Sequence, residues 1–418
     1  MEKHPPTSSS KRSISRLSSA ELAPIIREWP ETESLDDYLL DLHAWIATET
    51  MEIEVNELCG KRHIQIDPEK RRYQRRGSNP GAIRIRSEWV AIDVPRVRDF
   101  RSGQEKSLKS YQRLRQLSKK QELRLVNLVY RGLSQRNYKQ SVQECAKSHG
   151  LSASTVSRIF TRLTTEMLHG FETMDLSGQS YVVVMMDATK IRDKHIMICV
   201  GITEAGTKQV LGFAELTSEN AKAIESLLAR LIRQGLHSDQ GLLFVVDGSK
   251  GIHRAIKAVY GRYAQIQRCT QHKRENIKGY ISCDKARASV ERQLNAVYLG
   301  QQTYSEAKQA LDTLRIQLAK EGYTQAVKSL EEGLEETLTL HRLRVHPNLR
   351  SCLRTTNIME SLNATLKERC RKIRRWNSSQ QCHRWVVLGL QEADTKMQNI
   401  SLKKELVELK KTLKKHIQ

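Results

Sequence analysis

Four stretches of this 418-residue chain carry residue types that can do chemistry. Asp187 closes the apolar run YVVVMMD, Asp247 closes GLLFVVDG, Cys269 and His272 lie in QRCTQH, and Glu360 lies in TTNIMESLN. A carboxylate set where a buried strand emerges is costly unless a positive group meets it. Two such strands and a later helical glutamate read as a divalent-metal site. Its hard oxygen ligands, Asp187, Asp247 and Glu360, suit Mg2+ or Mn2+. Such a site belongs to an enzyme that cuts phosphodiesters, and the basic composition makes DNA the expected substrate. Glu360 has a second local account: Asn357 followed three residues later by an acid fits a capping box at a helix start. Cys269 and His272 form the only metal-like spacing and lack a matching second pair, so they do not make a closed zinc site. They read as residues of the active-site edge, with His272 touching the scissile phosphate, or else as a buried thiol and a satisfied histidine.

The elements that must position these residues follow from the apolar pattern. Strands are expected at 181–187, 195–203 and 209–216, a helix at 218–234, a strand at 242–247, a helix at 250–260 and a strand at 264–269. Three hairpin strands followed by alternating helix and strand is the order of a ribonuclease-H-like fold. In it the first and fourth strands are neighbours, which brings Asp187 beside Asp247. From about residue 281 the sequence turns helical and charged, with Leu330, Leu334 and Leu338 recurring on one face. The fold class expected is therefore α/β: a ribonuclease-H-like catalytic core at 176–280, an all-helical insertion at 281–345, and the end of the core with its glutamate at 346–382. A basic helix at 383–418 carries Leu402, Leu406, Leu409 and Leu413 at heptad spacing, which serves either self-association or packing back on the core.

Upstream, residues 116–175 have the spacing of a helix-turn-helix. Leu125, Leu128 and Val129 mark the first helix, Val142, Cys145 and Ala146 the second, and Val156, Ile159, Phe160 and Leu163 the third. That stripe leaves Ser154, Thr155, Ser157, Arg158, Thr161 and Arg162 outward, side chains suited to phosphates and base edges in a major groove. An ordinary three-helix bundle is the alternative. Residues 33–115 give a helix from Leu35 to Leu58, a basic run between Lys61 and Arg86, and a hairpin whose second strand (Val90, Ile92, Val94) ends at Pro95. The run is either a DNA contact or solvated surface. Residues 1–32, rich in Ser, Pro and basic residues, read as a disordered arm.

Lys and Arg number 70 against 47 acidic residues, a net charge of +23. A polyanionic partner follows, and nucleic acid is favoured because no apolar stretch has the length of a membrane span. The expectation is a soluble cytoplasmic protein at the bacterial nucleoid. The eight cysteines are scattered without repeated close pairs, as expected of reduced thiols.

From about Trp89 to Trp376 the chain resembles the bacterial Mutator-type insertion-sequence transposases, one branch of the enzymes that use an Asp-Asp-Glu triad. The resemblance rests on VMMDATKIR, VVDGSKGIHRAI, QRCTQHKRENI and TTNIMESLN in that order, with VPRVR near Pro95. It departs at GRYAQIQRC, which lacks the proline often found before the fifth strand. The resemblance implies binding of an element's terminal inverted repeats in double-stranded DNA, strand cleavage, and transfer of the freed 3′-hydroxyl to target DNA. Both steps are in-line displacements served by two metal ions. It also implies at least a dimer on DNA, since two element ends must be paired. A stand-alone nuclease of the same fold and a non-catalytic DNA-binding regulator are the rival readings.

Overall fold

The structure, a computed structural model, describes residues 34–62, 72–85, 88–133, 137–149, 151–216, 220–373 and 375–417. The expected arm at 1–32, part of the basic run before Arg86, and Gly150 lie outside the described residues. The chain divides into two compact units, one of residues up to 125 with 144–155, the other of 126–143 with 156–418. The stretch 116–175 contributes to both.

In the first unit, helix α1 (Leu35–Cys59) begins at Ser34, whose hydroxyl accepts the Asp37 N–H at 3.2 Å. Its residues Ala44, Ala47, Met51, Val55 and Cys59 recur every three or four positions and are buried against the hairpin residues Ile83, Ile85, Ile92 and Val97. The hairpin is β1 (Tyr73–Ile85) and β2 (Glu88–Asp99), with Ile83 opposite Val90; a two-residue β3 (Glu105–Lys106) adds to β2. The second strand does not end at Pro95 as the sequence suggests. Pro95 lies opposite Ser78, beside a register shift between Arg75 and Ser78, while β3 pairs only with Val97 and Arg98. A missing N–H is tolerated at such a place. Helix α2 (Lys109–Arg115) is capped by Glu54, which accepts the Lys109 and Ser110 N–H groups at 2.8 and 2.7 Å.

Helices α3 (Lys119–Gly132), α4 (Tyr138–Ser148) and α5 (Ala153–Glu172) follow. Leu125, Val129, Val142, Cys145, Ala146, Val156, Phe160 and Leu163 are buried, as their spacing requires. Leu128 is not: it is 50% exposed, because the buried stripe of α3 runs through Leu125, Val126, Val129, Tyr130 and Leu133 and turns Leu128 to the far side. On α5, Ser154, Arg158, Thr161 and Arg162 are exposed and Thr155 half-buried. Ser157, expected outward, bonds instead to the Tyr138 hydroxyl at 2.9 Å.

The second unit centres on a mixed sheet of β4 (Tyr181–Ile191), β5 (Lys194–Thr203), β6 (Lys208–Leu216), β7 (Leu242–Val246) and β8 (Ala264–Arg268), in the order β6-β5-β4-β7-β8. The pairs β4–β5 and β5–β6 are antiparallel; β4–β7 and β7–β8 are parallel. Helices α6 (Asn220–Arg233) and α7 (Lys250–Tyr260) bury Ile224, Leu227, Leu228, Leu231, Ile252 and Ile256 in one core with Val184, Met186, Phe244 and Val246. Val183, Met185, Leu243 and Val245, on the alternate positions, are equally buried. Coverage on both faces is why these strands read as unbroken apolar runs.

After β8 come α8 (Thr270–Gly279), α9 (Asp284–Leu299), α10 (Tyr304–Lys320), α11 (Thr324–Glu331), α12 (Leu334–Thr337) and α13 (Thr339–Arg342). Their core includes Val290, Leu294, Leu311, Leu318, Leu330 and Leu338. Leu330 and Leu338 do not share one helix, because Gly333, at φ +65°, separates α11 from α12. Then follow α14 (Pro347–Leu353), α15 (Asn357–Arg369), α16 (Ser379–Lys396) and α17 (Lys403–Lys415). Helix α16 runs through the junction expected at 382/383. Leu406, Leu409 and Leu413 of α17 are buried within the chain, and Lys410 pairs with Glu204 at 3.1 Å. Among the described residues no helix is long and apolar enough to cross a membrane, and all eight cysteines are free thiols.

Candidate active site

Parallel pairing of β4 with β7 runs from Val183 opposite Leu243 to Met186 opposite Val246. The next residue on each strand is an aspartate, so Asp187 and Asp247 leave the paired region side by side. Asp187 does not end its strand, however. Strand β4 continues to Ile191 because β5 still pairs with it, from Asp187 opposite Ile198 to Ile191 opposite Lys194, after β7 has turned away. Both aspartates are half-buried. Burial pushes the Asp187 carboxyl up from the ordinary aspartate range; His272 pulls it down and the neighbouring Asp247 pushes it up. Asp247 Oδ1 accepts the Ser249 N–H at 2.9 Å, and its carbonyl meets His253 Nε2 at 3.0 Å.

Strand β8 delivers the Cys-x-x-His element to the same edge. The Cys269 N–H donates to the Val246 carbonyl at 2.7 Å, so the start of α8 lies directly beside the Asp247 turn. Cys269 is buried, and burial raises its thiol, yet His272 brings it below the ordinary cysteine value. The Cys269 sulfur in turn lifts His272 to about 9, against burial, with Asp187 and Asp247 adding to the rise. His272 is thus a cation at neutral pH facing two carboxylates. Its buried Nδ1 has no aligned hydrogen-bond partner, so the pairing is one of charge and proximity.

The helix that carries Glu360 is fastened to this edge from two sides. Thr270 donates to the Arg354 carbonyl through its N–H (2.9 Å) and its hydroxyl (3.1 Å), and Cys269 Sγ lies 3.7 Å from Thr356 Oγ1. One turn beyond Glu360, the buried Asn363 donates from Nδ2 to Asp187 Oδ2 at 2.9 Å. Helix α15 starts at Asn357 with Thr356 before it and no side-chain cap. The capping box that Asn357 and Glu360 suggested therefore does not form, and Glu360 is left exposed in the first turn.

The structure brings together Asp187, Asp247, His272 and Cys269. Among the described residues, no three His, Cys, Asp or Glu side chains converge closely enough to hold a metal ion. The aspartate pair fits a hard cation by donor type and by its mutual repulsion. Glu360 is on the adjoining helix but does not complete the group, since Asn363 rather than Glu360 occupies the position against Asp187.

Three residues of this site have no signal of their own in the sequence. Asn363 is one; its spacing of three from Glu360, which sets both on one helix face, is the clue that was present. The others are Gly248 and Arg268. The buried Arg268 guanidinium lies so close to Gly248 and Gly333 that a Cβ at either would collide with it, and it donates to the Glu332 carbonyl at 2.8 Å. The turn after Asp247 is thereby held against the helical block by an arginine filling the space of two absent side chains.

Known proteins with related sequences are transposases. The chain is 26% identical over 359 residues to the transposase for insertion sequence element IS406 of Burkholderia multivorans, covering 84% of this chain and 88% of that one. It is 25% identical over 368 residues to the transposase for insertion sequence element IS256 in transposon Tn4001 of Staphylococcus aureus, covering 86% and 89%. Over 366 residues it is 27% identical to the transposase for insertion sequence element ISRM5 of Rhizobium meliloti, covering 84% and 86%. The family profile described as Transposase, Mutator family, spans residues 14–399, and with the aspartate strands, the Cys-x-x-His turn and the glutamate helix all inside that span, the chain belongs to this family.

Proposed function

We propose that this transposase acts for an insertion sequence, binding the element's terminal inverted repeats, cutting a DNA strand at the element's end and joining the freed 3′-hydroxyl to a second phosphodiester. The observation that carries this reading is the emergence of Asp187 and Asp247 side by side from a parallel strand pair, with the cationic His272 facing both. The strand order and the late helix tied to Asp187 support a ribonuclease-H-like catalytic core.

Asp187 and Asp247 would hold Mg2+ or Mn2+, two ions in all, with Glu360 as the third carboxylate. When bound, such ions stabilise the attacking and leaving oxygens of an in-line displacement. The chain's own residues prepare that site. Asn363 fixes the rotamer of Asp187, the Ser249 N–H orients Asp247, and Cys269 keeps His272 protonated so that it meets a phosphate oxygen at the active-site edge. On α5, Ser154, Thr155, Arg158 and Arg162 form the surface offered to DNA in a helix-turn-helix reading; Arg162 would exchange its 2.9 Å pairing with Glu166 for a phosphate. Pairing two ends of an element calls for at least two protomers.

One observation favours a second reading, a DNA-binding regulator without chemistry: Glu360 does not converge with the aspartates. The two readings separate on a labelled duplex carrying the element's terminal repeat, incubated with Mg2+, with Mn2+ or with chelator. Metal-dependent nicking at the repeat boundary, absent in Asp247→Asn and in Glu360→Gln, is expected. Repeat binding without nicking in any metal would establish the regulator. Full cleavage by Glu360→Gln would remove Glu360 alone from the site.

A further inference from the structure

Away from the aspartate pair, a cavity of about 880 Å³ opens between the end of α13, the turn before α10 and the helix α17. Its lining contains polar groups that the fold itself does not use. His341 is only 4% exposed, and neither ring nitrogen makes a hydrogen bond; the nearest acceptor, the Val297 carbonyl, is outside bonding geometry. Gln302 Oε1 is buried without a partner in the same wall. Arg350, 5% exposed, donates to the Gly300 and Gln302 carbonyls at 2.6 and 3.3 Å and meets no carboxylate among the described residues. Leaving such groups unmatched is unfavourable by roughly 1–3 kcal/mol each.

The rim adds a second, independent feature. Arg344 has φ +49°, a left-handed conformation that ends helix α13 through its N–H to the His341 carbonyl at 2.9 Å. Glycine adopts that conformation without steric cost, and an arginine there is strained. The exposed guanidinium it places at the cavity mouth is the gain that offsets the strain. Glu405 and Glu408 line the opposite wall, so an anion has one favourable end of the cavity and one unfavourable end.

We infer that this cavity binds one nucleotide, its phosphate on Arg344 and Arg350 and its base edge on His341 and Gln302. A bare anion would use the arginines and leave the acceptor of Gln302 unmatched. A base presents donors and acceptors together, and a cavity of this volume holds a base, sugar and phosphate. In a DNA-handling enzyme the nucleotide is one of a strand, held at a place separate from the aspartates. That last step rests on the reading above; the binding of a nucleotide does not.

The test uses the full chain, as wild type, Arg344→Gly and His341→Leu. Glycine relieves the strain at 344, and leucine replaces an imidazole that makes no bonds, so both variants are expected to melt no lower than the wild type. Each deoxynucleoside 5′-monophosphate, and inorganic phosphate as control, is added at saturating concentration. A rise in melting temperature of about 2–5 °C is expected for at least one mononucleotide in the wild type, none for phosphate, and none in either variant. With a labelled single-stranded oligonucleotide, Arg344→Gly is expected to lower the slope of log affinity against log salt by about 0.7, the value for one lost phosphate contact. No rise with any mononucleotide, an equal rise in the variants, or an equal rise with phosphate overturns the nucleotide site. A rise with an unchanged salt slope overturns the strand assignment and leaves a site for a free nucleotide. If the wild type binds no DNA at all, the DNA-handling reading fails, and the mononucleotide arm still decides the cavity.

Discussion

Asn363 Nδ2 donates to Asp187 Oδ2 at 2.9 Å, a bond between a helix residue and a strand residue 176 positions apart. It fixes the orientation of one aspartate and locks the Glu360 helix against the strand that carries that aspartate. Asn363→Ala removes both effects. Loss of a group that orients a ligand typically lowers activity about 10–100-fold, so repeat-boundary cleavage is expected to fall by that order while repeat binding is unchanged. Cleavage within about twofold of wild type would show that Asp187 needs no such support.

Gly248→Ala is expected to destabilise the protein by about 1–3 kcal/mol, because the new methyl group meets the buried Arg268 guanidinium. In denaturant titrations the double variant Gly248→Ala/Arg268→Ala should be more stable than the sum of its single variants implies, since removing the guanidinium opens the space the methyl needs. Additive costs would place the strain elsewhere.

What the sequence disclosed and what it concealed divide along a physical line. Runs such as VVVMM and LLFVV have one stable use, a strand covered on both faces, so β4 and β7 and the adjacency of their aspartates were legible. The reach of β4 past Asp187 was not, because it depends on β5 outlasting β7 as a partner. The inward positions of α3 and α5 followed from spacing, yet Leu128 and Ser157 were misjudged. Spacing defines a stripe but not its centre, and a hydroxyl turns inward when a phenol such as Tyr138 awaits it. The capping box at Asn357 was a fair local inference that tertiary bonds overruled: Thr270 and Cys269 anchor residues 354–356 and set the helix start. Asn363, Gly248 and Arg268 act only through partners far along the chain, which no local pattern reveals.

Glu392 makes a testable pH-dependent contribution. The guanidinium of Arg369, bonded to it at 2.7 and 2.9 Å, outweighs partial burial and, with Lys396 at 2.8 Å, holds the carboxyl down at about 2. Arg369 is the last residue of α15, so this pair pins the Glu360 helix to α16. A depressed folded value means that the stabilisation is complete above the unfolded value of about 4.3 and is lost as pH falls from there toward 2. Since both side chains are partly solvated, the pair is worth about 1–2 kcal/mol. Glu392→Gln should therefore melt lower than wild type at pH 7, and the gap should narrow below about pH 4.3. A gap that stays constant down to pH 3 would sink this account.

The carboxyl-terminal helix decides between two uses of one apolar stripe. Leu406, Leu409 and Leu413 have heptad spacing, but all three are buried within a single chain, and Leu413 lies against the Gly241 turn ahead of β7. The segment before the helix is fixed as well: the Ile400 N–H donates to the Gly206 carbonyl at 2.8 Å, and Gly206, at φ +80°, sits so close that a Cβ would strike the Ile400 carbonyl. A stripe already covered has no surface left for a partner's helix. Truncation after Ile400 is therefore expected to lower the melting temperature and leave the oligomer size in solution unchanged. Leu406→Ala alone should cost about 2–5 kcal/mol, measurable by denaturant titration. A truncated protein that melts like the wild type but elutes as a smaller species would reverse the assignment and make α17 an assembly element.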